Sequence, residues 1–219
     1  MRKRPSWPPA HWGVDALVAR YPDLRLRPSH GAGSLVIAGE LAFTASDRHG
    51  NNSVTDAFDV ELRVLPKFPA EPPIVRETGG RVPRTFHTNP DRTLCLGSPL
   101  RLRMRLKERP DLLAFVEGSL IPYFYALVRH QRGENLPFGE LAHGDRGLLD
   151  EYRYLLGARD DQTCVALLNL LGVKKRIANK QPCPCGSGRR VGCCHHRALN
   201  RLRPAASRAW FRAHAASLS

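Results

Sequence analysis

The strongest constraint on how this chain folds is a short run of cysteines and histidines near its C-terminus. Four of the six cysteines fall within twelve positions, and two histidines follow them directly. In a reducing compartment, such crowding indicates a metal site rather than disulfides. Zinc takes four thiolate or imidazole ligands in a tetrahedron. A tight turn with flexible glycines can present Cys183 and Cys185 as two of them. The second pair comes from Cys193, Cys194, His195 and His196.

The segment that carries these residues reads PCPCGSGRRVGCCHH from position 182. It resembles the SEC-C motif, a small zinc-binding module first noted in the secretory motor protein. In that family, eight residues separate the second cysteine from the third ligand, and a Cys or His follows. The resemblance therefore implies that one structural zinc ion is bound by Cys183, Cys185, Cys194 and His195, with Cys193 as a spare. A shorter register would use Cys193 and Cys194, and His196 is the remaining substitute. Four protein ligands leave no open position for catalysis.

Positive charge is concentrated in the C-terminal part of the chain. The net charge is +14, and the segment 174–219 contains 11 Lys/Arg residues and no Asp or Glu. The first 173 residues are nearly balanced. A basic tail suits contact with nucleic acid or with an acidic protein surface, and equally a solvated face.

The sequence gives no sign of a membrane or a secretory route. No run of about 18 consecutive apolar residues occurs, which is the length that a spanning helix needs. Residues 1–9 contain charges and prolines but lack the apolar core of a signal peptide. We therefore expect a cytoplasmic protein.

The hydrophobic pattern predicts an α+β fold with an antiparallel sheet and flanking helices, because the strand-like runs are consecutive. Strands are expected at Leu35–Ala45, 58–65 and Ile74–Glu77. The alternation of basic and apolar residues over 101–107 also has a strand-like period. Helices are expected at 10–21, 111–131 with an interruption at Pro122, 146–157, 161–178 with a break at Gly172, and 196–216 with a break near Pro204.

A second candidate site surrounds Cys95, which lies in an irregular segment far from the other cysteines. An exposed cysteine on such a segment is a candidate nucleophile. The nearby Asn89 has a side-chain amide that can donate to a developing oxyanion. Without further context, a single cysteine before a leucine is more often a small core residue.

The surrounding sequence resembles that of ubiquitin-conjugating enzymes. In that family a strand leads into a proline-rich turn, matched here by FDVELRVLPKFPAEPPIV from position 58, and then into a His-Pro-Asn tripeptide and a Cys-Leu pair. The resemblance implies that Cys95 accepts a ubiquitin-like protein as a thioester, that Asn89 stabilises the oxyanion, and that His87 orders the loop. The chain departs from the family in three ways: Thr88 replaces the proline, the His-to-Cys spacing is two residues shorter, and the tryptophan after the cysteine is absent.

These resemblances imply four segments: a conjugating-enzyme-like domain (1–133), a helical extension (134–179), the zinc module (180–197) and a basic helical tail (198–219). The combination resembles bacterial proteins linked to ubiquitin-like conjugation operons and to anti-phage defence. It implies a transferase whose partners are a ubiquitin-like protein, an activating enzyme and a protein target, with nucleic acid as a further partner of the tail. The alternatives are an inactive, zinc-stabilised adaptor and a nucleic-acid-binding module.

Overall fold

The computed structural model describes residues 8, 10–28, 33–47, 49–134 and 144–218. The chain forms two compact units, Met1–Glu140 and Leu141–Ser219. The predicted zinc module and basic tail belong to the second unit, as does the part of the helical extension from Leu141 onward. Residues 135–143, near the start of that extension, lie outside the described residues.

The first unit contains a four-stranded sheet in which each strand pairs with its neighbour along the chain. The strands are β1 (Leu24–Arg27), β2 (Leu35–Ala45), β3 (Val54–Val64) and β4 (Ile74–Glu77). All three pairings are antiparallel, and the order is β1-β2-β3-β4. The predicted α+β class with an antiparallel sheet is therefore confirmed. β1 was not predicted, because four residues between two prolines give too short a pattern.

Helices precede and follow this sheet. A 3₁₀ turn (Ala10–Trp12) leads into α1 (Val14–Arg20). After the sheet come α2 (Pro99–Glu108), α3 (Leu112–Phe115), a π-helical turn (Val116–Leu120) and α4 (Ile121–Gln131).

The strand-like interpretation of residues 101–107 is wrong, because this segment is helix α2. The Ser98 hydroxyl caps the helix by accepting from the Arg101 backbone N–H at 3.3 Å, and Pro99 occupies a first-turn position. Arg, Leu, Met and Lys all have high helix propensity. Leu102 and Leu106, four positions apart, both pack against the core of the unit. The local cap and the propensities thus outweigh the two-residue alternation.

The interruption predicted at Pro122 takes the form of the π-helical turn just before it. Proline has no backbone N–H, so the carbonyl of Gly118, four residues earlier, lacks its usual helical donor. The guanidinium of Arg105 supplies a substitute, because its Nη1 donates to the Gly118 oxygen at 2.6 Å. A side chain from α2 therefore satisfies the group that the proline exposes.

The core of the first unit lies between the sheet and α4. On β3, Phe58, Val60, Leu62 and Val64 alternate with more exposed residues and are all buried. The Phe58 ring stacks on Phe124 of α4, with ring centroids 4.2 Å apart and an interplanar angle of 5°. The alternating sequence pattern thus corresponds to one buried face of the sheet.

One segment, Leu112–Gln131, is long and apolar enough to cross a membrane by length and composition alone, with a mean hydropathy of 1.3. Within its most apolar window, 56% of the segment is buried inside the protein. Core helices of soluble proteins meet the same criterion. The cytoplasmic location stays a prediction.

The second unit is helical in its described part. Its helices are α5 (Gly144–Leu156), α6 (Asp161–Leu171), α7 (Lys175–Ala178), α8 (His196–Leu202) and α9 (Arg208–Ala216), with 3₁₀ turns at Val191–Cys193 and Arg203–Ala205. The breaks expected at Gly172 and near Pro204 both occur. The buried side chains of this unit include Tyr152, Leu156, Cys164, Leu167, Leu168, Leu171, Val191, Leu199, Leu202 and Phe211. Cys164 is therefore a packed helix residue, and burial raises its pKa to about 12.

Candidate functional site

Four side chains of the second unit form a group that could hold a metal ion. The sulfurs of Cys183, Cys185 and Cys194 and the Nδ1 nitrogen of His195 all lie within 4.8 Å of one another. The sulfur of Cys185 is 3.4 Å from that of Cys183 and 3.6 Å from that of Cys194. His195 Nδ1 is 3.1 Å from the Cys183 sulfur and 3.3 Å from the Cys194 sulfur.

These separations are close to the edges of a zinc tetrahedron. With Zn–S bonds of about 2.3 Å and a Zn–N bond of about 2.0 Å, tetrahedral angles place sulfurs about 3.8 Å apart and sulfur and nitrogen about 3.5 Å apart. A small expansion of the group would therefore accommodate the ion. The three-sulfur, one-nitrogen donor set is typical of structural zinc sites.

A tight hairpin brings the ligands together. Residues Pro182 and Arg190 form an isolated antiparallel bridge, and the Cys183 backbone N–H donates to the Arg189 carbonyl at 2.8 Å. Gly186 and Gly188 have φ angles of 75° and 70°, a region that favours glycine. Chain reversal at these glycines lets Cys194 approach the first two cysteines.

His195 is oriented by a contact outside the group. Its Nε2 lies 3.2 Å from the carbonyl oxygen of Gly157, just beyond α5. A carbonyl can only accept, so Nε2 carries the hydrogen and Nδ1 presents its lone pair to the sulfurs. Histidines that bind metals commonly donate their second nitrogen in this way. Sequence reasoning missed Gly157, because 38 positions separate it from His195.

The thiols of this group favour a bound cation. Burial raises the pKa of Cys183 to about 11, whereas a hydrogen bond from the Ser187 hydroxyl lowers the pKa of Cys185 to about 6. Three neighbouring thiols cannot all ionise without a counter-charge, because their negative charges repel one another. A divalent metal ion supplies that counter-charge, since thiolates are its ligands.

Cys193 and His196, the two alternative ligands that the sequence left open, lie outside the group of four. The described group includes neither Cys193 nor His196. Cys193 ends the 3₁₀ turn and its side chain is exposed. The arrangement therefore matches the longer register, with eight residues between Cys185 and Cys194.

Cys95 lies on a loop of the first unit that is tied to the edge of the sheet. The Leu94 backbone N–H donates to the Val75 carbonyl on β4 at 2.8 Å, and the Cys95 N–H donates to the His87 carbonyl at 2.7 Å. Thr88 and Leu94 form an isolated antiparallel bridge. The two arms of the loop are thus held together, and Cys95 stands at its exit with an exposed thiol.

The structure places Asn89 in the turn of the same loop. Its backbone N–H donates to the Thr93 carbonyl at 2.8 Å, and its side-chain Nδ2 donates to the Thr93 hydroxyl at 2.9 Å. An amide nitrogen carries two hydrogens, so one such bond leaves a second for another acceptor. Thr93 was not recognised from the sequence, since a threonine in an irregular segment carries no pattern.

His87 acts on the loop through its backbone and its ring. It adopts a φ of 36° and its carbonyl accepts the hydrogen bond from Cys95. Its ring stands edge-on to the Phe86 ring, with centroids 5.0 Å apart and an interplanar angle of 89°. These contacts fit a residue that orders the loop.

A tyrosine of α4 forms a hydrogen bond to the backbone at the start of the Cys95 loop. The Tyr123 hydroxyl donates to the Phe86 carbonyl at 3.0 Å. Burial is the main reason that the pKa of this hydroxyl is raised, and it outweighs the opposing hydrogen bond with Thr88. Tyr123 therefore keeps its proton and stays a donor near the cysteine. The sequence pattern indicated only a core residue here.

We compared the chain with family models, with curated proteins and with solved structures, and none of the three comparisons gives a match.

Proposed function

We propose that this protein is a ubiquitin-like-protein conjugating enzyme that carries its modifier as a thioester on Cys95. The observation that carries the proposal is the exposed Cys95 thiol on a hydrogen-bonded loop that is tied to the outer strand of an antiparallel sheet. Asn89 and His87 lie on the same loop, in line with the roles that the family resemblance implies. An accessible thiol is what a large protein thioester requires.

The reaction has two steps, a thioester exchange and a transfer to an amine. The Cys95 thiolate attacks the carbonyl carbon of the modifier's thioester on its activating enzyme. A C–S bond to Cys95 forms as the C–S bond to the activating enzyme breaks, and the displaced cysteine leaves as a thiolate. A lysine amine of the target then attacks the same carbon. The amide forms, Cys95 leaves as a thiolate, and the amine's proton passes to water.

We assign a structural zinc ion to the four ligands of the second unit. The zinc would fix the hairpin 182–190 against the start of α8, because its ligands come from both segments. The second unit with its basic surface then serves to recruit a partner or the target. The activating enzyme, the ubiquitin-like protein and a bacterial, cytoplasmic conjugation or anti-phage defence setting belong to this proposal.

The proposal is tested by the mass of the protein isolated from its own host, in acid and without thiols. A protein-sized adduct that dithiothreitol removes is the expected result, and it gives the mass of the modifier. In Cys95→Ser, the adduct should become an oxyester that resists dithiothreitol. Absence of any adduct, together with a Cys95 thiol that does not react with iodoacetamide in the folded protein, would favour the adaptor instead.

Asn89→Ala should separate loading from transfer. Loading of Cys95 is expected to persist, whereas transfer to lysine should slow by about 10²- to 10³-fold, the usual cost of losing one oxyanion donor. Single-turnover discharge of the thioester to free lysine measures this rate.

Thr93→Val provides the matched control for Asn89→Ala. It removes the acceptor of the Asn89 side-chain bond but keeps the Asn89 amide itself. If Thr93→Val slows discharge as much as Asn89→Ala does, Asn89 only shapes the loop and the oxyanion role is wrong.

A further inference from the structure

A basic concavity in the second unit lies apart from the candidate metal ligands. Its volume is about 400 Å³, and four of its six lining residues are cations. The lining residues are Leu171, Lys174, Lys175, Arg203, Ala206 and Arg208. They come from the end of α6, the start of α7, the turn between α8 and α9, and the first residue of α9. None of the lining residues is acidic, so the concavity has one sign of charge.

One of the four cations is held in place by the protein itself. Arg203 Nη1 donates to the carbonyls of Val173 at 2.9 Å and Leu171 at 3.3 Å, and Nη2 donates to Leu170 at 3.2 Å. Its Nε is buried and has no hydrogen-bond acceptor among the described residues. Burial lowers the pKa of Arg203, and the positive charge of Arg208 lowers it further. The concavity thus contains a positive charge on Arg203 whose position is fixed by hydrogen bonds. A second positive charge, on Arg208, lies close to it.

The other three cations are available to a ligand. Lys174, Lys175 and Arg208 are exposed, and within the described part of the chain their side chains have no hydrogen-bond or ion-pair partner. The segment 174–219 that supplies them contains no carboxylate side chain. Like charges around one concavity repel one another, so an anion bound between them would relieve this repulsion.

We propose that this concavity binds a phosphate group of a nucleic-acid strand. Arginine and lysine are the usual ligands of backbone phosphates. Leu171 and Ala206 give the concavity an apolar part. This apolar part is better suited to the sugar that adjoins a backbone phosphate than to the carboxylate side chain of an acidic protein. Further exposed cations on the same unit, among them Arg176 and Lys180, can contact neighbouring phosphates. The proposal does not depend on the chemistry of Cys95.

The test measures binding of the full-length, zinc-loaded protein to a fluorescein-labelled single-stranded oligodeoxynucleotide of about 20 nucleotides by fluorescence anisotropy. The variant Lys174→Gln/Lys175→Gln/Arg208→Gln removes the three available cations. We expect its affinity to fall at least tenfold at low salt, by about the 1.4 kcal/mol that a tenfold change represents. The slope of log affinity against log salt should decrease by about 2, since each neutralised phosphate of a single strand contributes about 0.7.

The matched control is Arg146→Gln/Arg190→Gln/Arg197→Gln. It changes the net charge by the same amount, and the three exposed arginines do not line the concavity. We expect this control variant to lose less than about threefold in affinity, because salt screens the attraction between distant arginines and the bound phosphate. Zinc content and the melting temperature of both variants show that the unit remains folded.

Three results would overturn the proposal. Equal losses in the two triple variants would mean that binding follows net charge rather than this concavity. Displacement of the oligonucleotide by polyglutamate of equal charge, with the same loss in the first variant, would point to an acidic protein ligand. Absence of binding by the wild-type protein at low salt would mean that no nucleic-acid site exists there.

Discussion

Cys183→Ser is expected to release the zinc ion and to unfold the hairpin of the second unit. Cys183 is buried and its sulfur contacts both Cys185 and His195, so its loss breaks the group at its centre. Structural zinc sites contribute about 10–16 kcal/mol of apparent binding free energy at neutral pH, which is as large as the whole stability of a typical domain. The remaining helices of the unit still share the apolar core around Tyr152 and Leu167. Partial rather than complete unfolding of the unit should therefore result.

The measurement is zinc content by atomic emission together with thermal unfolding followed by circular dichroism. Wild-type protein should contain one zinc per chain, and Cys183→Ser should contain none. The transition of the second unit should move down by at least about 15 °C, since each kcal/mol shifts the melting temperature of so small a unit by about 4–8 °C. A zinc chelator should reproduce the effect on the wild-type protein.

Cys193→Ser is the matched control for the metal centre. It lies next to Cys194, but its side chain is exposed and does not belong to the described group. We expect one zinc per chain and an unchanged melting temperature. If Cys193→Ser loses the ion while His195→Ala retains it, the shorter register, with Cys193 and Cys194 as the second pair, is the correct one.

Cys95→Ala is expected to abolish both loading of the modifier and its transfer to a target. No thioester can form without the sulfur, so the loss should be complete within detection. The fold should be retained, because exposed side chains away from specific contacts usually change stability by less than about 0.5 kcal/mol. The assay combines the modifier, its activating enzyme and ATP, and it follows adduct formation on non-reducing gels.

Cys193→Ala controls for general thiol reactivity in this assay, because Cys193 is the other cysteine described as exposed. It should load and transfer at the wild-type rate. Cys164 needs no such control, since burial raises its pKa to about 12 and keeps it a thiol. Conjugation by Cys95→Ala at the wild-type rate would reject the proposed function.

Much of the fold follows from local pattern, and the errors have local causes. β2 and β4 begin and end where the sequence predicts, because β-branched and apolar runs are bounded by turn residues. β1 was missed because its four residues gain their stability from pairing with β2, which no local pattern reports. The segment 101–107 was misread because alternation is only one signal, and the Ser98 cap outweighs it.

The sequence predicts those parts of the candidate sites that lie within one segment of the chain. It does not predict the contacts that come from distant segments. The four grouped ligands lie within 13 positions, so spacing and resemblance together select them. The Gly157 carbonyl that orients His195 and the Tyr123 hydroxyl beneath the Cys95 loop come from distant segments. The basic concavity likewise unites residues about 30 positions apart, which only the helix packing brings together.

The neighbour-to-neighbour order of the sheet has a consequence for how the protein is made. Each strand of the described sheet pairs only with strands adjacent in the chain, so its strand pairing involves no residue beyond β4, whereas its buried face is covered by α4 of the same unit. Short sequence separations favour rapid folding, and domains fold from the N-terminal side during synthesis. The strands and α4 all precede Cys183 in the chain, so they are translated before it. We therefore expect the first unit to begin folding before the four grouped side chains of the second unit have been made, so that the proposed zinc ion would affect only the later stage of folding.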